Sequence, residues 1–277
     1  MMKFSPTLIS LSIAIASGLG LQSCASSGEQ TQKLVLTGSS TVAPVASEIA
    51  KRFEANHSEV RIDVQTGGSS RGIADAREGL ADLGMASRAL KSDESDLNSF
   101  EIARDGVGVV VHQGNPASGL DKSQIIDIYT GEIDNWQQVG GNDAEITVVN
   151  KAEGRGTLEV FLDYLQIENS QVEADSIVGH NQQGLKTVAG NPNAIAYISI
   201  GVAQESIDEG IAVKLVAIDG IEASLENVQT GRYPVSRPLN FIAKDRPEGL
   251  AQSLVEFAQS PDVSDIVKEQ GYVPVSP

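Results

Sequence analysis

LVLTGSSTVAPVASEIAKRF, residues 34–53, carries an apolar strand into a turn of small hydroxyl residues and out along a helix. Val42, Val45, Ala46, Ile49, Ala50 and Phe53 recur at i, i+3, i+4, i+7 spacing, with Ser40/Thr41 read as the cap and Pro44 in the first turn. The helix therefore packs one face on a sheet. The same order returns in IDVQTGGSSRGIADAREGLA, residues 62–81, with Ile73, Ala76 and Leu80 as the apolar stripe. It returns again in ITVVNKAEGRGTLEVFLDYL, residues 146–165, with Leu158, Phe161, Leu162 and Leu165. The first turn of a helix holds N–H groups without partners and the positive end of the macrodipole, and glycine lets a ligand reach them. One such turn is an ordinary chain reversal, whereas three of one chemistry point to convergence on an anion.

Further strand-like runs lie between and after these units: ADLGMAS before Arg88, GVGVVVHQ from Gly106, AIAYISI from Ala194, IAVKLVAI from Ile211 and PLNFIAK from Pro238. Strands alternating with amphipathic helices predict an α/β fold with largely buried sheets. HQGNPASG from His112 and RYPVSRP from Arg232 are rich in turn formers and are read as crossing segments between two lobes. The expected division is residues 33–110 and 235–277 for lobe I and 111–234 for lobe II. Helices bearing Leu254, Phe257, Ala258, Ile266 and Val267 close lobe I. Two of the small-residue turns then face the third across a cleft.

The N-terminus, with Lys3, an apolar stretch from Leu8 to Leu21 and a small-residue junction, reads as a signal peptide over residues 1–23. Leu21-Gln22-Ser23-Cys24 is similar to a bacterial lipobox, which would lipidate Cys24; the alternatives are a plain signal peptide cut near Ala25 or a short membrane anchor. Cys24 is the only cysteine, so no disulfide is expected, and residues 24–32 read as a polar tether. Losing Lys3 with the leader takes the 20 Lys and Arg to 19 against 37 Asp and Glu, a formal −18 over 254 residues. Such a balance argues against nucleic acid as a partner. An anion site must here work through short-range, dry hydrogen bonds, because the long-range field opposes it.

TGSSTVAPVASEIAKRFE, GGSSRGIADAREGLADLGMASRAL, IIDIYTGEIDNWQQVGG and YPVSRPLNFIAKD, in that order, resemble the PstS-type phosphate-binding proteins of bacterial ABC importers. The resemblance covers nearly all of the mature chain. It implies a two-lobed type II periplasmic-binding-protein fold with two crossover strands, phosphate held between the lobes, no cofactor, and importer permease subunits as partners. It implies a monomer outside the cytoplasm, periplasmic or at the cell surface and anchored by lipid. Transport and the accessory sensing or buffering role of SphX-like relatives both stay open.

Carried over position by position, the resemblance places donors at Ser40 and Thr41, at Ser69 with Ser70, and in the third turn at Gly156 and Thr157. The family's Arg-x-x-Gly-Ser-Gly-Thr stands here as Lys151-Ala152-Glu153-Gly154-Arg155-Gly156-Thr157, so the cation comes from Lys151 or Arg155. Where one branch carries an aspartate that accepts the ligand's proton, this chain has Ser87, followed by Arg88. Glu153 is a substitute acceptor by this reading, and Arg88 either a ligand contact or a lobe-to-lobe ion pair.

The competing reading is enzymatic. GSSRG, residues 68–72, fits the G-x-S-x-G pattern with Ser70 as nucleophile of a serine hydrolase, or of a phosphatase using the same cradle. Histidine is confined to His57, His112 and His180, and no His/Asp grouping has metal-ligand spacing. A binding protein is therefore expected rather than an enzyme.

Overall fold

The computed structural model describes residues 31–275. The signal segment, Cys24 and most of the tether lie outside the described residues. The first elements are β1 (Gln32–Gly38), α1 (Ala43–Asn56), β2 (Val60–Thr66), α2 (Ser69–Glu78), β3 (Leu83–Ala86) and β4 (Asn98–His112). The middle of the chain forms β5 (Gly119–Leu120), α3 (Lys122–Tyr129), β6 (Thr147–Lys151), α4 (Gly156–Leu165), β7 (Ser176–Val178) and α5 (Asn181–Gly190). It continues with β8 (Ala194–Ser199), α6 (Ile200–Asp208), β9 (Val213–Ile218) and α7 (Leu225–Gln229). The chain ends with β10 (Ser236–Ala243), α8 (Gly249–Ala258), α9 (Ser264–Glu269) and β11 (Val273–Pro274).

The main path of the sheet runs β2-β1-β3-β10-β4-β8-β6-β7. β4 joins its two halves. From Asn98 to Gly106 it pairs antiparallel with β10, and from Val107 onward with β8 and β9. The change of partners falls inside one continuous strand, so the run read from Gly106 is only the second half of β4. The return passes beside it, where Val107 N donates to Val235 O at 2.8 Å.

Each half has its own apolar interior, as a two-lobed α/β fold requires. Leu36, Ile49, Phe53, Leu83 and Phe241 are buried together in the first, closed by Leu254, Ala258, Ile266 and Val267 of α8 and α9. Trp136, Phe161, Leu165 and Tyr197 are buried in the second. The Trp136 indole donates to Asn193 O at 2.9 Å. Leu80 departs from its expected place on the α2 stripe, because Gly79 at φ +71° ends the helix and leaves Leu80 66% exposed.

α2 sits unusually close to the sheet. A Cβ on Gly72 would lie 2.5 Å from Thr37 O, and one on Gly38 (φ +133°) would lie 2.3 Å from Met85 O. This approach brings the start of α2 level with the ends of β1 and β3.

Candidate functional site

Two parallel pairs of strands, β1 with β2 and β6 with β7, deliver helices α1, α2, α4 and α5 from their carboxyl ends, where open α/β sheets hold ligands. The four helix starts surround one small cavity, lined by Ser40 and Thr41, Ser69, Gly156 and Thr157, and His180 with Asn181. The cavity is small and has no room for a nucleotide or sugar.

Capping decides which donors remain free. Ser39 Oγ accepts from Thr41 N at 3.2 Å and Val42 N at 3.3 Å. Ser39, not Ser40 or Thr41, therefore holds the turn that leads into α1, whose own start has no side-chain cap, and the two hydroxyls read as caps are released. α2, α4 and α5 begin at Gly68, Arg155 and His180 with no side-chain cap. Their first-turn N–H groups and positive dipole ends are thus not satisfied by a local side chain.

Arg237, completely buried on β10, organises the hydroxyls from behind. Its Nη1 donates to Thr157 Oγ1 at 2.7 Å and Ser87 Oγ at 3.3 Å, and its Nη2 reaches Thr41 Oγ1 at 3.5 Å. Thr41 Oγ1 also accepts from Asn181 Nδ2 at 3.3 Å. Hydroxyls that accept from a guanidinium keep their own protons to donate, so Thr41 and Thr157 are set as donors. Sequence reasoning missed Arg237, and it missed the fourth helix start at Gly179-His180-Asn181.

The charge at the cavity is positive and close-range. Lys151 and Arg155 both line it, and no Asp or Glu does. Burial, then the nearby Arg237 and Arg155, pulls the Lys151 ammonium down to about 7. Burial, with Arg155 and Lys151 adding to it, likewise lowers His180. Arg155 Nε is buried without a hydrogen-bond partner among the described residues. An anion in the cavity would offset that cost, about 1–3 kcal/mol for an unpaired buried donor.

The two halves are closed on each other here. A Cβ on Gly156 would lie 2.5 Å from Ser69 Oγ and 2.8 Å from Ser87 Oγ, and Ser70 N donates to Gly154 O at 3.1 Å. Of the residues read as ligand contacts, Ser40, Thr41, Ser69, Ser87, Lys151, Arg155, Gly156 and Thr157 come together at the cavity. Ser70, Arg88 and Glu153 do not line it. Ser70 Oγ donates to Glu159 at 3.1 Å, and Arg88 pairs with Glu94 and Glu159. Glu153 borders a separate open groove of about 790 Å³ and accepts from Asn169 Nδ2 at 3.4 Å.

The hydrolase alternative fails on the same geometry. Ser70 is the second residue of α2 and gives its proton to a carboxylate, not to an imidazole. His57 Nδ1 is engaged by Phe53 O at 2.9 Å, and His112 Nδ1 accepts from Gly114 N at 3.0 Å. Among the described residues, no group of three or more His, Cys, Asp or Glu could hold a metal ion.

The domain pattern of the PBP superfamily matches residues 25–262. A substrate-binding protein assigned to phosphate ABC transport, solved with bound phosphate, from Clostridium perfringens is 36% identical; the match has a TM-score of 0.83 and covers 88% of this chain and 100% of that one. An ABC-type phosphate transport receptor from Vibrio cholerae is 31% identical with a TM-score of 0.70, covering 87% and 99%. The phosphate-binding protein PstS of Bacillus subtilis (strain 168) is 28% identical over 88% of this chain and 81% of its own length. The chain belongs to the PBP superfamily and, within it, to the PstS-type substrate-binding proteins.

Proposed function

We propose that this protein captures inorganic phosphate in the small cavity and presents it to the permease subunits of an ABC importer. The observation that carries the reading is the donor set: uncapped helix starts, preset threonine hydroxyls and two cations around one small cavity. Similar proteins described as phosphate receptors, one with phosphate bound, support it. It is a binding protein, not an enzyme.

In this account Ser40, Thr41, Ser69 and Ser87 donate from one half, and Lys151, Arg155, Gly156 and Thr157 from the other. The lobes are residues 33–110 with 235–277, and residues 111–234. They close when these donors share one ion, because differential contacts with the closed form shift the population. With no carboxylate lining the cavity, the ligand's own proton goes to a hydroxyl oxygen or a main-chain carbonyl. The mature protein works outside the cytoplasm as a monomer, held to the membrane by lipid on Cys24.

Isothermal titration of the soluble domain with phosphate, sulfate, molybdate and tungstate tests the reading. Tight one-to-one binding of phosphate, stronger than of the other three, is expected. Absent phosphate binding, or sulfate bound as tightly, overturns it. For the anchor, Cys24→Ser should release the protein from membranes or block its maturation, and unchanged membrane association would contradict the assignment.

A further inference from the structure

Glu159 lies on α4, one turn beyond the cavity, and does not line it. Among the described residues, every hydrogen bond and ion pair of its carboxylate crosses to the other half of the molecule. Arg88 Nε is 2.9 Å away, Lys91 Nζ 2.5 Å, and Ser70 Oγ 3.1 Å. The Arg88 side chain is 5% exposed and that of Glu159 18%.

Arg88 is held ready for this contact by its own half. Its two Nη atoms bind the Glu94 carboxylate at 2.6 and 2.8 Å, and its main-chain carbonyl accepts from Asn240 Nδ2 at 2.9 Å. Nε is left to face Glu159 across the cleft as an ion pair without hydrogen-bond geometry. Two cations, Arg88 and Lys91, and one hydroxyl donor, Ser70, on one half thus face a single carboxylate on the other, and separating the halves parts all three from it together.

We propose that Glu159 is the closure latch of this receptor, a positioning residue that raises phosphate affinity by stabilising the closed arrangement without touching the ion. The inference rests on the reading that phosphate is captured by closure. A contact made only in the closed form adds its net free energy to the closing step, and ligand affinity follows the population of the closed form. Rehydration of the separated charges offsets part of the gain, so the effect is moderate.

Glu159→Gln isolates it. The amide oxygen still accepts from Ser70, Arg88 keeps Glu94, and the half-exposed Lys91 turns to water, so no buried charge is stranded. Two measurements apply: phosphate titration, and the distance between spin labels on the two halves with and without phosphate. The variant should bind phosphate about tenfold more weakly, a coupling of ordinary size. Its distances without phosphate should shift toward the open form while the saturated distance and the thermal midpoint without phosphate stay as in the wild type. Lys91→Met, which removes one exposed partner and nothing from either core, should move both readouts in the same direction by a smaller amount. Wild-type affinity and wild-type distances in both variants would overturn the latch. If the wild type itself fails to bind phosphate, the functional reading has failed, and the distances without phosphate alone decide the latch.

Discussion

Arg237 and Asp105 stand opposite each other in the β10–β4 register as a fully buried ion pair, Nη2 to Oδ2 at 2.7 Å. The pair sits where β4 changes partners from one half of the sheet to the other, and its guanidinium also reaches Thr41, Ser87 and Thr157. The hydrogen bonds that hold the crossover therefore also orient the donors of the cavity.

Arg237→Met should leave Asp105 buried and unpaired and destabilise the protein by roughly 3–5 kcal/mol. Adding Asp105→Asn should recover much of that stability, because no buried charge remains. Phosphate affinity should stay low in both, since the hydroxyls lose their orienting donor. Denaturant unfolding and titration of the two variants check this, and recovered affinity in the double variant would show that Arg237 acts on stability alone.

Gly156→Ala should separate folding from closure. The added methyl would meet Ser69 and Ser87 of the other half, while Gly156 itself is a helical position where alanine is the better helix former. Stability without phosphate should hold or rise. Phosphate affinity should fall by at least about tenfold, the order expected for overpacking a tight contact. Wild-type affinity would mean that the closed contact is not needed for binding.

Loss of cationic donation should outweigh loss of a hydroxyl aimed elsewhere. Arg155→Ala removes a guanidinium at the cavity, and charge-assisted bonds contribute about 1.5–3 kcal/mol. Ser70→Ala removes only a bond to Glu159 and should cost less. Titration of both variants after confirming that they are folded gives the order directly, and the reverse order would contradict the placement of Arg155.

Lys151 makes binding sensitive to pH. Its value of about 7 in the folded chain lies far below its unfolded one. Above pH 7, up to the ordinary lysine range, the unfolded chain binds the extra proton, so stability without phosphate should rise with pH across that window; below pH 7 the full cost of the buried charge is present. A bound anion favours the ammonium and raises its pKa. Phosphate binding near pH 8 should therefore take up a proton at Lys151 and weaken as pH rises further. Titration in buffers of different ionisation heat counts the proton, and Lys151→Arg, always charged, should remove the excess uptake. Equal uptake in the two proteins would contradict the assignment.

What was legible in the sequence was local. The three strand–turn–helix units show themselves because glycine, hydroxyl residues and a helical apolar stripe stand next to one another in the chain. Arg237 is different: its role comes from a strand register that pairs it with Asp105, 132 residues away. The fourth helix start was hidden because β7 spans only Ser176–Val178, too short for an apolar run to announce it. Ser39, Ser40 and Thr41 are alike in composition, and only the hydrogen bonds of Ser39 decide which of them holds the turn into α1. Ser70 and Arg88 adjoin residues that line the cavity and Glu153 lies midway between Lys151 and Arg155, yet their side chains serve the closure contact or the outer groove instead.

A crystal structure of the protein grown with phosphate tests the central claim most directly. The account predicts one phosphate in the small cavity, within hydrogen-bond distance of Thr41, Ser69 and Thr157 hydroxyls, the Gly156 N–H and the Arg155 guanidinium, with Glu159 joined to Arg88 across the closed cleft. Phosphate bound instead in the open groove beside Lys91, or a cavity filled only by water under saturating phosphate, would contradict it.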